Sequence, residues 1–183
     1  YDNLLDILAL GFDSKKTEIL VDFENMNQEL YNLAIKCSKT ITNSTVKSAF
    51  GFKDSKNIGI TFYPAMQAAH ILYPTIKYNL PSLVVVGIDQ EVFIKLSRDV
   101  AHKLKLTKPA GILSKFLPSL YGKSKMSASD PNAAVYTTDS MKDIERKINK
   151  AFSGGRDTVK EHRKRGGNPD IDVCYQYLNL FLE

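Results

Sequence analysis

Ser82-Leu83-Val84-Val85-Val86-Gly87-Ile88-Asp89-Gln90 is the stretch from which the rest of the chain is read. Its β-branched, uninterrupted apolar run predicts a strand buried on both faces, the pattern of a central parallel strand covered by helices. Asp89 and Gln90 emerge where the run stops. In open α/β sheets, ligands bind beyond the carboxyl ends of strands, so these two are candidate binding groups. Gly87 leaves the backbone approachable just before them. Asp89 offers an anionic acceptor, and Gln90 an amide that both donates and accepts. The plainer role for Asp89 is to cap the following helix.

Beyond this run, Val92, Phe93, Leu96, Val100 and Leu104 form the inner stripe of a helix, with Lys95, Arg98 and Lys103 off it. Upstream, Leu4, Leu5, Leu8 and Leu10 predict a helix closed by Gly11, and residues 19–23 a short strand. Leu30, Leu33, Ala34 and Cys37 fall at helical spacing over residues 27–39. Residues 58–62 read as a strand, after which Pro64 suits a first helical turn. Downstream, Asp139 predicts the cap of a helix whose inner side is Met141, Ile144 and Ile148. Asp157 and Asp170 predict two further caps, with Gly166-Gly167 as the stop between those helices. The alternation predicts an α/β fold, a Rossmann-like parallel sheet with flanking helices.

A chain of 183 residues can bury one core, and 43% hydrophobic with 25% charged residues is a globular composition. No apolar run approaches the roughly 20 residues needed to span a bilayer. The polar opening Tyr1-Asp2-Asn3 lacks the basic region of a signal peptide. Cys37 and Cys174 stand far apart without metal or redox spacing, which predicts free thiols in a reducing compartment. His70, His102 and His162 share no ligand spacing, so no bound metal is expected. The net charge of +5 is compatible with a polyanionic partner and demonstrates none. His162-Arg163-Lys164-Arg165 reads as a solvated helix face or as an RNA contact.

The second informative stretch is Tyr121-Gly122-Lys123-Ser124-Lys125-Met126-Ser127-Ala128-Ser129-Asp130-Pro131. A loop rich in Gly, Ser and Lys can bring ammonium groups and hydroxyls to the place where phosphate charge grows in a transition state. Neither a Walker loop nor a GxGxxG occurs, so a nucleotide would be held in some other way.

Lys125-Met126-Ser127-Ala128-Ser129 resembles the KMSKS loop of class I aminoacyl-tRNA synthetases, with Ala128 in place of the second lysine. Gly87-Ile88-Asp89-Gln90 resembles the GxDQ element of the tyrosyl and tryptophanyl members. Ala151-Phe152-Ser153-Gly154-Gly155-Arg156-Asp157-Thr158, Pro64-Ala65-Met66-Gln67-Ala68-Ala69 and the closing segment from Asp172 are similar to tryptophanyl enzymes of the eukaryotic and archaeal type. The HIGH tetrapeptide of the class does not occur, and the family places it upstream of these motifs. The resemblance therefore implies the latter part of a class I catalytic domain. Residues 1–152 would carry its insertion and the KMSAS loop, and residues 153–183 would begin a helical region.

The activity implied is ATP-dependent activation of tryptophan to its adenylate and transfer to tRNA(Trp). ATP with Mg2+ would be a substrate, and no structural metal would be present. Lys125 would act catalytically with Ser127 and Ser129. ATP would meet Gly87, Asp89, Gln90, Lys125, Met126 and Ser127, and tryptophan would meet Gln67, Gln90, Phe93 and Tyr63. The resemblance further implies a cytoplasmic homodimer with no membrane association, pairing through residues 44–74. The alternatives are a tyrosyl-tRNA synthetase and a non-catalytic module derived from a synthetase.

Overall fold

The structure, a computed structural model, describes residues 2–13, 15–21, 24, 26–53, 56–122, 125–126 and 130–182. The chain divides into two compact units, residues 12–115 and residues 1–11 with 116–183.

In the first unit, α2 (Gln28–Thr40) begins at Asn27, whose side-chain oxygen accepts from the Leu30 N–H at 2.9 Å. The same carboxamide donates to the Tyr73 hydroxyl at 2.8 Å, tying the start of α2 to α4. After α3 (Asn43–Phe50) comes α4, which runs from Ile58 to Tyr78. Residues 58–62, expected as a strand, are its first turns. Asn57 caps it by accepting from the Ile60 N–H at 3.0 Å. Pro64 therefore lies inside the helix, not at its first turn. Its missing N–H removes a bond that would cost about 3 kcal/mol in isolation. Burial outweighs that cost, because Pro64, Ala65, Ala68, Ala69, Leu72 and Tyr73 are all buried. From Ala65 to Tyr73 these residues meet Leu30, Leu33, Ala34 and Cys37 of α2, and Val100 and Ala101 of α5 (Glu91–Lys103), in one apolar core.

β1 (Leu83–Gly87) pairs in parallel with β2 (Ala110–Ser114), Val85 opposite Ile112 and Gly87 opposite Ser114. The parallel strand and its following helix are as expected, and the fold is α/β with helices flanking a parallel sheet. The expectation of burial on both faces is corrected. Ile94 of α5 packs 3.3 Å from where a side chain on Gly111 would stand, covering one face. Leu83 and Val85 on the other face are 61% and 68% exposed. Residues 19–21 form no strand, and residues 22 and 23 lie outside the described residues.

The second unit holds α1 (Asp2–Ala9), α6 (Met141–Asn149), α7 (Val159–Arg165) and α8 (Val173–Phe181). Main-chain bonds knit it together: Leu120 N–H to Ala133 O, Phe152 N–H to Leu120 O, and Val173 N–H to Phe152 O. The expected caps are each displaced. Ser140, not Asp139, caps α6; Thr158, not Asp157, caps α7; and Asp172, not Asp170, caps α8. Asp139 is occupied elsewhere, accepting from Lys147 at 2.5 Å and from the Tyr136 N–H at 2.8 Å. Those two donors, Lys147 first, hold its carboxyl below the usual range. The inner side of α6 is corrected likewise. Met141 is 78% exposed, whereas Lys147 is only 6% exposed. The Lys147 ammonium sits 4.7 Å over the Tyr136 ring and donates to Ala134 O at 3.0 Å. Gly166 closes α7 at φ 70°, the stop that Gly166-Gly167 predicted.

Candidate active site

At the carboxyl end of β1, Gly87 leads into a single 3-10 turn, Ile88–Gln90, which runs directly into α5. Asp89 is exposed and Gln90 half-buried, and Gln90, at the N-cap position of α5, makes no side-chain capping bond. Both are thus presented at the strand end, where a sheet of this kind receives ligands.

Helix α4 places Tyr63, Gln67 and His70 at i, i+4 and i+7, along one face. The Tyr63 hydroxyl donates to the Gln67 side-chain oxygen at 3.2 Å. The Phe93 ring meets Tyr63 edge-on, with centroids 5.9 Å apart, and lies 4.7 Å from Phe50. Three of the four residues expected against tryptophan are therefore joined by direct contacts. An aromatic wall beside a hydrogen-bonding amide suits a ligand with a flat apolar ring and a polar end.

Gln67 and His70 also line a cavity of ≈ 560 Å³ with Ile71, Pro74, Tyr78 and the exposed side of β1 at Leu83 and Val85. The sequence offers His70 no metal-ligand spacing and no other functional role. Its spacing of three from Gln67 on a helix was the signal that places it on the same lining. Ile71, expected near a two-fold interface, is buried in its own unit, as are Leu72 and Tyr73. Of that segment, Ile58, Ile60 and Tyr63 face outward.

In the other unit, Lys125 forms an isolated antiparallel bridge with Pro118, and the Met126 N–H donates to Leu117 O at 3.0 Å. The Lys125 side chain is exposed, and its ammonium stands 5.0 Å over the Phe116 ring. The loop entrance is fixed from below, since a side chain on Gly122 (φ 77°) would come within 2.6 Å of the Phe152 ring. Ser127 and Ser129 lie outside the described residues. Among the described residues, no three His, Cys, Asp or Glu side chains gather as metal ligands, and no helix is long and apolar enough to cross a membrane.

The segment Ala151 to Thr158 owes its composition to packing. A side chain on Gly154 would stand 1.9 Å from Asn168 O, because these two backbones cross. The Asn168 N–H donates to Gly154 O at 2.7 Å, and the Gly154 N–H to Asp172 at 2.9 Å. Asp172 also accepts from the Tyr175 N–H, and these backbone donors hold its carboxyl below the usual range.

Residues 1–183 match the family of class I tRNA synthetases, W and Y. A tryptophan–tRNA ligase of Sulfolobus acidocaldarius is 49% identical over 185 residues, covering 100% of this chain and 47% of the relative. The tryptophanyl-tRNA synthetase structure from Giardia lamblia superposes with a TM-score of 0.85 at 33% identity, over 100% of this chain and 53% of that one. The tyrosyl-tRNA synthetase of Aeropyrum pernix gives 0.75 at 27% identity, over 96% and 49%. The chain spans about half the length of these relatives.

Proposed function

From its membership of the class I tRNA synthetases of the tryptophan and tyrosine group, the family to which this chain belongs, we propose that the protein activates tryptophan with ATP and transfers it to tRNA(Trp). The observation that carries this reading is the whole-chain likeness to tryptophan–tRNA ligases, and among solved structures the Giardia lamblia tryptophanyl enzyme superposes better than the tyrosyl one, with a TM-score of 0.85 against 0.75. In the first step, a tryptophan carboxylate oxygen attacks the α-phosphorus of ATP. The bond to the bridging oxygen breaks, and pyrophosphate leaves. In the second, a terminal ribose hydroxyl of the tRNA attacks the acyl carbon, and AMP leaves.

The chain supplies positioning and charge in place of a nucleophile. Lys125 stabilises the phosphates as charge builds, with Ser127 and Ser129 as hydroxyl partners and Met126 beside the adenine. Gly87, Asp89 and Gln90 hold the ribose and the amino-acid end. Gln67 binds the polar end of tryptophan, and Tyr63 and Phe93 wall its indole. Mg2+ enters with ATP, in keeping with its preference for phosphate oxygens and water. We place the enzyme in the cytoplasm as a homodimer, and Ile58 and Ile60, outward in the first turn of α4, offer apolar surface to a partner.

The test is tryptophan-dependent ATP–pyrophosphate exchange by the full-length protein. Lys125→Ala is expected to slow exchange roughly 100-fold, about 3 kcal/mol, with tryptophan affinity little changed. A rise in KM at unchanged turnover overturns the role of Lys125. Exchange driven by tyrosine and not by tryptophan overturns the substrate.

A further inference from the structure

Within the second unit, Leu120, Tyr121, Asn132, Arg146, Lys147 and Lys150 line a concavity of ≈ 220 Å³ that no carboxylate lines. Its members have distinct roles. Lys147 is neutralised by Asp139 and forms the floor. Arg146 is steered by long contacts, 3.4 Å to the Asn132 side-chain oxygen and 3.4 Å to Asp143, which leave other guanidinium N–H groups for a ligand. Lys150, the C-cap residue of α6, is exposed and joins no ion pair among the described residues. Tyr121 presents half of its surface, 50%, beside them.

The wall is stiff, because main-chain bonds from Leu120 to Ala133 and from Phe152 to Leu120 tie Tyr121 to the end of α6. Lys142, Arg146 and Lys150 recur every fourth residue, so a third cation extends the stripe. The acidic residues of α6 do not cancel it: Asp143 is engaged by Ser140 and Arg146, and Glu145 stands off the stripe. Cations around a cavity, with an aromatic face beside them, suit a polyanion that also carries flat rings. At the basic run that ends α7, His162 instead packs against its own unit, 3.4 Å from where a side chain on Gly167 would stand.

We propose that this concavity is a phosphate subsite for the RNA backbone, seating one phosphate between Arg146 and Lys150 with the adjoining ribose or base against Tyr121. The proposal rests on the reading of the protein as an enzyme acting on tRNA. It adds a binding position at the root of the lysine-serine loop.

The experiment measures anisotropy of labelled tRNA(Trp) transcript with the full-length protein across a salt series, for wild type, Arg146→Gln, Lys150→Glu and the double variant. Each lost phosphate contact should lower the slope of log affinity against log salt by about 1, and the double variant should bind about tenfold more weakly. Tryptophan-dependent pyrophosphate exchange, which needs no RNA, should stay at the wild-type rate. Lys150→Glu changes an exposed helix end and keeps the test valid if Arg146→Gln perturbs folding. Unchanged affinity and slope in Lys150→Glu and the double variant overturn the subsite while leaving the proposed function standing. Loss of exchange with tRNA binding intact also overturns it, by assigning the cavity to activation. A wild-type protein that exchanges pyrophosphate on neither amino acid and binds no tRNA overturns both readings.

Discussion

The two units of this chain cohere by different means. In residues 12–115, α2, α4 and α5 bring Leu30, Leu33, Leu72 and Val100 together with small residues such as Ala34, Ala69 and Ala101. Helices approach closely there because alanines line the contact, and apolar burial carries the stability. In residues 1–11 with 116–183, the buried apolar set is smaller, chiefly Leu120, Ala133, Ala134 and Val173. Cohesion comes instead from backbone bonds between crossing segments, from Asp172 at a helix cap and from Lys147 drawn inside. A packed helical core tolerates loss of polar detail but not of volume. The reverse holds for a unit built on hydrogen bonds and a close backbone crossing.

That contrast can be broken by substitution. Leu72→Ala removes a fully buried side chain from the helical core and should cost about 2 to 5 kcal/mol in urea-induced unfolding. A cost below that of a surface change would show that the core of the first unit is not volume-limited. Gly154→Ala adds one methyl against the Asn168 carbonyl and should cost about 1 to 3 kcal/mol, with the helical core intact by far-ultraviolet circular dichroism. A neutral result would mean that the backbone crossing yields, and the distinction between the units would lose its main support.

Asp172→Asn should have the smallest effect, because an accessible carboxylate is screened by water. Its carboxyl is held below its ordinary value, so its contribution is present above the unfolded-state pKa of about 3.9 and disappears as pH falls through the lower folded value. Melting temperatures of wild type and Asp172→Asn should therefore differ near neutrality and converge in acid. Parallel curves at every pH would remove the charge from the account and leave only the cap.

Much of this was legible in the residues. The run at 82–88 marked its strand, Leu30 to Cys37 marked α2, and the stripe from Leu96 to Val100 marked the helix after the strand. The candidate ligand-binding residues were named from motifs; in the structure α4 joins Tyr63 to Gln67, and Tyr63 meets Phe93 of α5 edge-on. Residues 58–62 were misread because β-branched and aromatic side chains favour strands locally, whereas burial of the residues after them selects a helix of 21 residues. Asp139 was misread as a cap because nothing nearby in sequence announces that Lys147 is buried beside it.

The order of motifs, the parallel strand with its helix, the free spacing of the cysteines and the lysine-serine loop follow from local pattern alone, since periodicity and turn chemistry act over a few residues. Tertiary structure decided what depends on neighbours distant in sequence. It left Leu83 and Val85 open on one sheet face, buried the Lys147 ammonium, and made Gly154 a point where two backbones cross. Burial, charge pairing and close approach are properties of surroundings, and a linear string carries the surroundings of a residue only after the chain has folded.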